Sequence, residues 1–422
     1  MQIDALAHGG AGVARLDGFV LFVRDAVPGD RVRALVTKKK RGYGEARTVE
    51  LLEAGPERIE PVADHPGAPW QVLPYERQLE VKAEQVEDAL RRIGRLDGFT
   101  MEPIVPAEET WRYRNKVEFS FGTAATGELV CGFHAAGSWE EIVDVDDCLL
   151  VSERVNEARR AVLAFCREQG LEAWDRRTQE GFLRNLVIRE GRRTGQLQVR
   201  LVTSPGTLDG EAFAAAVPGE DGVFWTQAPG VAETVAGGLT DHISGPPALD
   251  EELAGLRFAI SPDAFFQTNT EMAERLYAIT GEYAGLRGWE RLFDLYCGIG
   301  TIGLTLAGRA GEVWGVEVVE EAVAAAIANA RRNEIANAQF FAGDVRLAMR
   351  ELVEVVTDSA AFVADLDRVT SLVDDEDLGE AASTLAARVA PGNAEGWFPT
   401  VVVAHPGTDT DVLAQLAARQ HQ

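Results

Sequence analysis

The sequence predicts an α/β protein in three parts. These are a small OB-like β-barrel over residues 1–58, a mixed α+β domain over 101–256 reached through a linker and helix over 59–100, and a Rossmann-like doubly wound domain over 257–422. Three observations carry this reading. Short β-branched and aromatic runs cut by turn signals fill the first part, the pattern of a small antiparallel barrel. Alternating strands with one helical stretch fill the middle. Past Phe258 strand and helix take turns, which implies a parallel sheet with crossover helices.

The chain has 422 residues, 46% apolar and 26% charged, ordinary globular composition with room for two or three domains at roughly 150 residues each. Its net charge of -26 repels phosphate backbones unless the few basic residues cluster, which argues against a coat protein held to nucleic acid by charge alone. No run approaches the ~18 consecutive apolar residues of a membrane span, and the opening MQIDALAHGG has neither the basic nor the apolar part of a leader. Cys131, Cys148, Cys166 and Cys297 show no CxxC spacing, so neither a disulfide framework nor a zinc site is indicated. A cytoplasmic protein without a membrane partner is expected.

In the first part the strand-like runs are GFVLFV, RVRALV and RTVELL, punctuated by HGGAG and by the turn Pro28 to Asp30. Lys38, Lys39, Lys40 and Arg41 sit there beside Gly42-Tyr43-Gly44, and residues 1–58 carry a net +2 within an acidic chain. Three of the five lysines fall in that one turn. A cation cluster beside an aromatic ring and permissive glycines suits RNA contact better than a bare solvated hairpin tip. Leu79, Ala83, Val86, Leu90 and Ile93 then recur at helical spacing, with Gly94 as the stop.

Strands are expected in KVEFSFG, LVCGFH, NLVIRE and QLQVRLV, with a helix near Glu153 to Glu168. Further on come a helix from Thr270 to about Ala284, strands at Arg291 to Leu295, Glu312 to Val316 and Ala338 to Phe341, and helices between them. Residues 357–395, with nine acidic residues against two arginines, read as an acidic insertion.

The segment Phe293-Asp294-Leu295-Tyr296-Cys297-Gly298-Ile299-Gly300-Thr301-Ile302-Gly303 joins a strand to a helix. Glu317 ends the next strand, where a carboxylate can accept hydrogen bonds from both ribose hydroxyls of a nucleoside, and Asp344 ends the one after. Gly298, Gly300 and Gly303 formally satisfy the dinucleotide pattern GxGxxG, so a nicotinamide oxidoreductase is an alternative. Asp294 argues against it, because a carboxylate at the loop mouth repels pyrophosphate and suits the ammonium of S-adenosylmethionine. Asp344 then stands where an adenine amino group needs an acceptor.

With these segments in view the sequence resembles the RNA (uracil-5-)-methyltransferases, which methylate uridine in 23S rRNA and tRNA. The likeness rests on WQVLPYERQLEVKAEQV, Tyr113-Arg114-Asn115-Lys116, GFHAAGSWEEIVDVDDCLL, Ala264 to Asn269 (AFFQTN), DLYCGIGTIGL and GVE, and runs from residue 1 to roughly 348. The N-terminal barrel looks like a TRAM domain, and the C-terminal domain like a class I methyltransferase. The resemblance implies that Gln267, Tyr296, Glu317 and Asp344 contact S-adenosylmethionine, with Thr301 where Asn is frequent. It also implies that Phe265 and the segment with Arg114 and Lys116 face RNA, rRNA being preferred over tRNA.

The sequence departs from the family pattern twice. Many members hold a [4Fe-4S] cluster with four thiolates, partly through a CGGC motif. Here His65-Pro66-Gly67-Ala68 stands in its place and only Cys148 matches a ligand, so no iron-sulfur cluster is expected. Family members also add a cysteine thiolate to C6 of uracil and use a base to remove the C5 proton, from segments beyond a DPPR motif. At 400–407 this chain reads TVVVAHPG, with Ala404 where the aspartate is expected, and no catalytic residue can be named. A fourth strand at 400–404 would leave a sheet edge uncovered, so either a truncated or shifted reading frame or a covering partner is expected. A non-catalytic RNA-binding relative that keeps the cofactor pocket is the second alternative.

Overall fold

The alternating apolar residues of the first segment build a five-stranded sheet. Its strands are β1 (Ala5–Leu6), β2 (Gly12–Leu16), β3 (Phe19–Arg24), β4 (Arg31–Lys39) and β5 (Tyr43–Glu53), in spatial order β1-β2-β3-β5-β4. One pairing departs from the antiparallel expectation: β3 and β5 run parallel, Val20 opposite Tyr43. The intervening β4 doubles back on β5 as a long hairpin, which forces that direction. An isolated bridge between Gln2 and Arg31 links the chain start to the first residue of β4. Ile3, Ala14, Leu21, Val23, Val32 and Ala46 fill the interior. Buried Asp30 ties the turn before β4 to the following segment, accepting from the Val27 and Gly55 N–H groups and from Arg58. Helix α1 (Tyr75–Asp88) follows, continued by a wide turn over Ala89–Ile93 and stopped at Gly94.

The computed structural model describes residues 1–63, 65–135, 138, 140–219, 221–230 and 238–345, with the strand backbone at 400–404; the predicted acidic insertion at 357–395 lies outside these residues. The described residues form two compact units, one of Met1–Thr110 and one of the described residues from Trp111 onward.

The second unit contains a seven-stranded sheet made of β6 (Lys116–Thr123), β7 (Leu129–His134), β8 (Ile142–Asp144), β9 (Leu183–Glu190), β10 (Leu197–Thr203), β11 (Gly222–Gln227) and β12 (Leu239–Ser244). The order is β12-β11-β10-β9-β6-β7-β8, so β9 and β10 are interior strands and every residue of both is buried. Helix α2 (Glu153–Glu168) has the predicted bounds. Its first turn is capped by Ser152, whose Oγ accepts the Val155 N–H. Val155, Ala158, Val162 and Phe165 of α2 share one apolar core with Val117, Phe119, Leu186, Ile188, Val199 and Leu201 from alternate strand positions. The other residues of these strands, among them Lys116, Glu118, Asn185, Arg189, Gln198 and Arg200, form a polar face, and that asymmetry orients the sheet. Helix α3 (Gly210–Ala216) precedes β11.

A hairpin of β13 (Leu249–Leu253) and β14 (Leu256–Ile260) leads into helix α4 (Thr270–Ala284), which is capped by Asn269 and ends on Gly285 in the left-handed conformation. Then come β15 (Arg291–Leu295), α5 (Thr301–Leu306), β16 (Glu312–Glu317), α6 (Glu320–Arg332) and β17 (Ala338–Ala342). β15, β16 and β17 are parallel neighbours, as predicted. The fourth strand, β18 (Thr400–Ala404), pairs with β15 in the antiparallel sense, Arg291 opposite Ala404, so this sheet is mixed and not wholly parallel. A parallel sheet readily accepts an antiparallel strand at its edge.

Candidate functional site

The loop after β15 is built by backbone conformations that side chains usually avoid. Tyr296 has φ 62°, Gly298 φ 53° and Gly300 φ 83°, so the chain reverses within five residues and delivers α5 directly behind the strand end. Gly300 faces away from the open side. A Cβ there would stand 3.0 Å from Phe340 and 3.2 Å from Ala326, which makes it a loop-packing residue. The open side bounds a cavity of about 300 Å³ lined by Asp263, Phe265, Gln267, Asp294, Tyr296, Gly298, Thr301, Glu317 and Glu321, among others.

Of the cofactor residues expected from sequence, the cavity wall thus unites Gln267, Asp294, Tyr296, Gly298, Thr301 and Glu317, and adds Phe265 from the expected RNA contacts. Gly300 and Asp344 are not on that wall; Asp344 lies two residues past β17 and is partly buried. Arg114 and Lys116 belong to the same unit as the cavity, at the start of β6. Lys38, Lys39, Lys40 and Arg41 form the β4–β5 hairpin tip of the first unit. There Lys39 lies 5.6 Å from the Phe19 ring centre and Lys40 5.0 Å from that of Tyr43, so the cations rest on aromatic faces at an exposed tip.

Asp294 is fully buried at the end of β15. Its Oδ2 accepts the Gly303 N–H at 2.8 Å, while Oδ1 has no hydrogen-bond partner. Burial, with a further push from the Glu317 charge, raises its carboxyl to about 7. Glu317 at the end of β16 accepts the Gly298 N–H through Oε2 at 3.1 Å and the Val319 N–H through Oε1 at 3.0 Å. Those bonds fix the carboxylate and leave a lone pair on each oxygen. The wall is therefore rich in acceptors and acidic groups. At the start of α5 the N–H of Gly303, the last glycine of the pattern, is held by the Asp294 carboxylate.

Sequence reasoning missed three residues here. Buried Asn115 donates through Nδ2 to the Gln267 carbonyl at 2.8 Å and to Thr270 Oγ1 at 2.9 Å, and its N–H donates to the Thr268 carbonyl at 2.7 Å. Tyr277 on α4 shares a 3.1 Å hydrogen bond with Thr301, and burial pushes its phenol up. Asp263 pairs with Arg200 at 2.7 Å. The Tyr113 to Lys116 motif was a signal for the first of these; nothing local marked the other two.

A family model for tRNA (uracil-5-)-methyltransferases matches residues 250–371, and one for the TRAM domain matches residues 2–49. An uncharacterised RNA methyltransferase of Halalkalibacterium halodurans is 38% identical over 358 residues, covering 83% of this chain and 78% of its own. The chain belongs to the RNA (uracil-5-)-methyltransferase family. A second relative, an uncharacterised RNA methyltransferase of Chlorobaculum tepidum, is 37% identical over 367 residues and covers 81% of this chain and 76% of its own. The Pyrococcus abyssi tRNA (uracil-54, C5)-methyltransferase, solved in complex with S-adenosyl-L-homocysteine, matches with a TM-score of 0.68 at 27% identity, over 82% of this chain and 80% of that one. The resemblance read from FFQTN and DLYCGIG is borne out, and the chain carries the fold of an S-adenosylmethionine-dependent methyltransferase with a TRAM domain.

The four cysteines are all buried and none forms a disulfide, and among the described residues no group of three or more His, Cys, Asp and Glu could hold a metal ion. His65 accepts the Gly67 N–H at 3.1 Å within its own turn. No helix among the described residues is long and apolar enough to cross a membrane.

Proposed function

We propose that this protein binds S-adenosylmethionine in the cavity behind Tyr296 and transfers its methyl group to C5 of a uridine in RNA. The observation that carries the reading is the buried, unpartnered Oδ1 of Asp294 on a wall that also holds Glu317 and Glu321. A zwitterion bearing an ammonium and a sulfonium matches such a wall, whereas a pyrophosphate is repelled by it.

The residues divide the work as follows. Asp294 accepts from the amino group, Glu317 from the ribose hydroxyls, and Gln267 and Tyr296 bound the methyl-donor end. Thr301, held by Tyr277, offers a hydroxyl in place of an amide. Gly298 and Gly300 shape the loop, and Asp344 receives the adenine amino group from beyond β17. Bound S-adenosylmethionine supplies an electrophilic methyl group. Phe265, half exposed at the mouth, offers a face on which a base can stack, and Arg114, Lys116 and the Lys38 to Arg41 tip engage the RNA backbone. Ribosomal RNA is the substrate carried by the sequence resemblance; the Pyrococcus abyssi relative acts on tRNA. We assign no iron-sulfur cluster, since the CGGC position supplies no thiolate, and we place the reaction in the cytoplasm.

Two measurements test this. S-adenosylmethionine is expected to raise the melting temperature and NADH to leave it unchanged; the reverse would sink the methyl-donor assignment in favour of an oxidoreductase. Incubation with 5-fluorouracil-substituted rRNA and tRNA transcripts is expected to yield a covalent protein–RNA adduct with one of them, because fluorine at C5 cannot leave as a proton does. Binding without an adduct would mark a non-catalytic relative.

A further inference from the structure

The rim of the cavity holds an oriented acceptor that the methyl-donor reading leaves unused. Asp263 and Phe265 both line the cavity, and both stand at its open edge, the Asp263 side chain 67% exposed and Phe265 49%. The two carboxylates assigned to the donor, Asp294 and Glu317, are buried in the same wall. The cavity therefore has an inner acidic end and an outer end where an aromatic ring and a carboxylate meet solvent together.

Asp263 is not a freely turning surface side chain. It sits in the turn Ser261 to Ala264, closed by the Ala264 N–H donating to the Ser261 carbonyl at 3.1 Å. That turn is fastened to the polar face of the seven-stranded sheet on both sides. Gln198 donates to the Ile260 carbonyl at 3.2 Å, and Arg189 to the Ala264 carbonyl at 2.8 Å. Asp263 Oδ1 accepts from Arg200 Nη1 at 2.7 Å. Arg200 is almost wholly buried, and it is fixed in turn by donating through Nε to Thr226 Oγ1 at 2.6 Å and through Nη2 to Thr240 Oγ1 at 2.9 Å. A guanidinium can only donate, so it takes an oxygen of residue 263 and turns the second branch of that side chain away from itself. Oδ2 is that branch, and it has no hydrogen-bond partner among the described residues. Water screens the ion pair, which contributes little to stability; its effect is orientation.

An aromatic face with an oriented acceptor two residues away matches how single-stranded bases are held, by stacking and by hydrogen bonds to the Watson–Crick edge. On that edge uracil presents a donor, N3–H. Cytosine presents a lone pair at N3, which a carboxylate repels, and N3-methyluracil presents a methyl group.

We propose that Asp263, oriented by Arg200, accepts the N3–H of the uracil stacked at Phe265 and so selects uridine over cytidine. This rests on the uridine methylation reading above. A base docked on Phe265 excludes water from the carboxylate and strengthens the bond it makes there. Arg200 acts through Asp263 as a positioning residue.

The experiment compares wild type, Asp263→Ala and Asp263→Asn. Each is titrated, with S-adenosylhomocysteine present, against fluorescein-labelled stem-loop RNAs that differ only in a loop of uridine, cytidine or N3-methyluridine. Wild type is expected to bind the uridine loop about tenfold more tightly than the other two, and Asp263→Ala to bind all three alike. Asp263→Asn keeps its oxygen on Arg200 and so presents its NH2 group where Oδ2 stood, a donor suited to cytosine N3. Its preference should turn from uridine to cytidine, with the melting temperature and the calorimetric affinity for S-adenosylhomocysteine as in wild type. Retention of the uridine preference in both variants overturns the proposal and leaves the uridine reading standing. A fall in S-adenosylhomocysteine affinity that matches the loss of RNA affinity in Asp263→Asn assigns the residue to the donor and overturns it as well. A wild type that binds the three loops alike overturns it together with the uridine reading.

Discussion

Asp294 Oδ2 accepts the Gly303 N–H at 2.8 Å, and this bond ties the end of β15 to the first turn of α5 while Oδ1 of this cavity-lining residue stays buried without a hydrogen-bond partner. A carboxylate in the first turn complements the helix dipole. Under the proposed methyl-donor reading the same placement disfavours a phosphate and suits an ammonium.

Ligand binding is expected to depend on pH through Asp294. In the free protein its carboxyl is raised to about 7 from 3.8 by burial and by Glu317. The folded state therefore holds a proton between those values that the unfolded chain has released, so the stability Asp294 contributes is present at acid pH and is lost as pH rises through about 7. An ammonium ligand needs the ionised form. S-adenosylhomocysteine affinity is expected to fall about tenfold per pH unit below the raised value and to level off above it. Calorimetry from pH 5.5 to 8.5 reads this directly. Asp294→Asn should abolish the pH dependence and weaken binding by about 2 to 5 kcal/mol; an unaltered profile in that variant would exclude Asp294 as the titrating group.

Gly303 is irreplaceable for reasons of space. An added Cβ would lie 2.9 Å from Asp294 Oδ2 and 2.9 Å from Val313 Cγ1. Gly303→Ala must push α5 off the sheet or turn the carboxylate, at a cost of roughly 1 to 3 kcal/mol. Chemical denaturation should show the loss of stability, and S-adenosylhomocysteine affinity should drop with it.

Asn115 carries the coupling between the central sheet and the FFQTN segment. Asn115→Ala removes two side-chain donors and leaves the buried Gln267 carbonyl and Thr270 hydroxyl without them, a loss of about 1 to 3 kcal/mol. Because the Gln267 backbone is then released, ligand affinity should fall along with the melting temperature. A variant that melts earlier yet binds S-adenosylhomocysteine as wild type does would show that Gln267 is held by other means.

The thiols should be inert in the native protein. All four cysteines are buried, and burial pushes Cys166 up to about 12 and Cys131 and Cys297 higher still. Titration with an aromatic disulfide reagent at pH 8 is expected to register none of the four until denaturant is added. Iron analysis of anaerobically purified protein should find no stoichiometric iron.

Much of the local structure was legible because it follows from periodicity. α2 runs from Glu153 to Glu168 and β15 from Arg291 to Leu295, as the apolar spacing and the turn residues dictate, and α4 starts where Asn269 can cap it. Those signals lie within a few residues of the elements they specify. Strand direction has no such signature. The parallel pairing of β3 with β5 and the antiparallel pairing of β18 with β15 depend on how distant segments return to a sheet edge.

The sequence by itself determined the chemical character of the cavity. Asp294, Tyr296 and Glu317 are fixed by their places at strand ends, and strand ends can be read from alternation. Only the tertiary structure decided which residues support them: Asn115 reaches Gln267 across 152 positions, and Arg189 reaches Ala264 across 75. The same structure turned Gly300 inward onto Phe340 and set Lys116 against Arg189. The physical reason is that a hydrogen bond or a charge repulsion depends on separation in space, which the chain sets only when its sheets close.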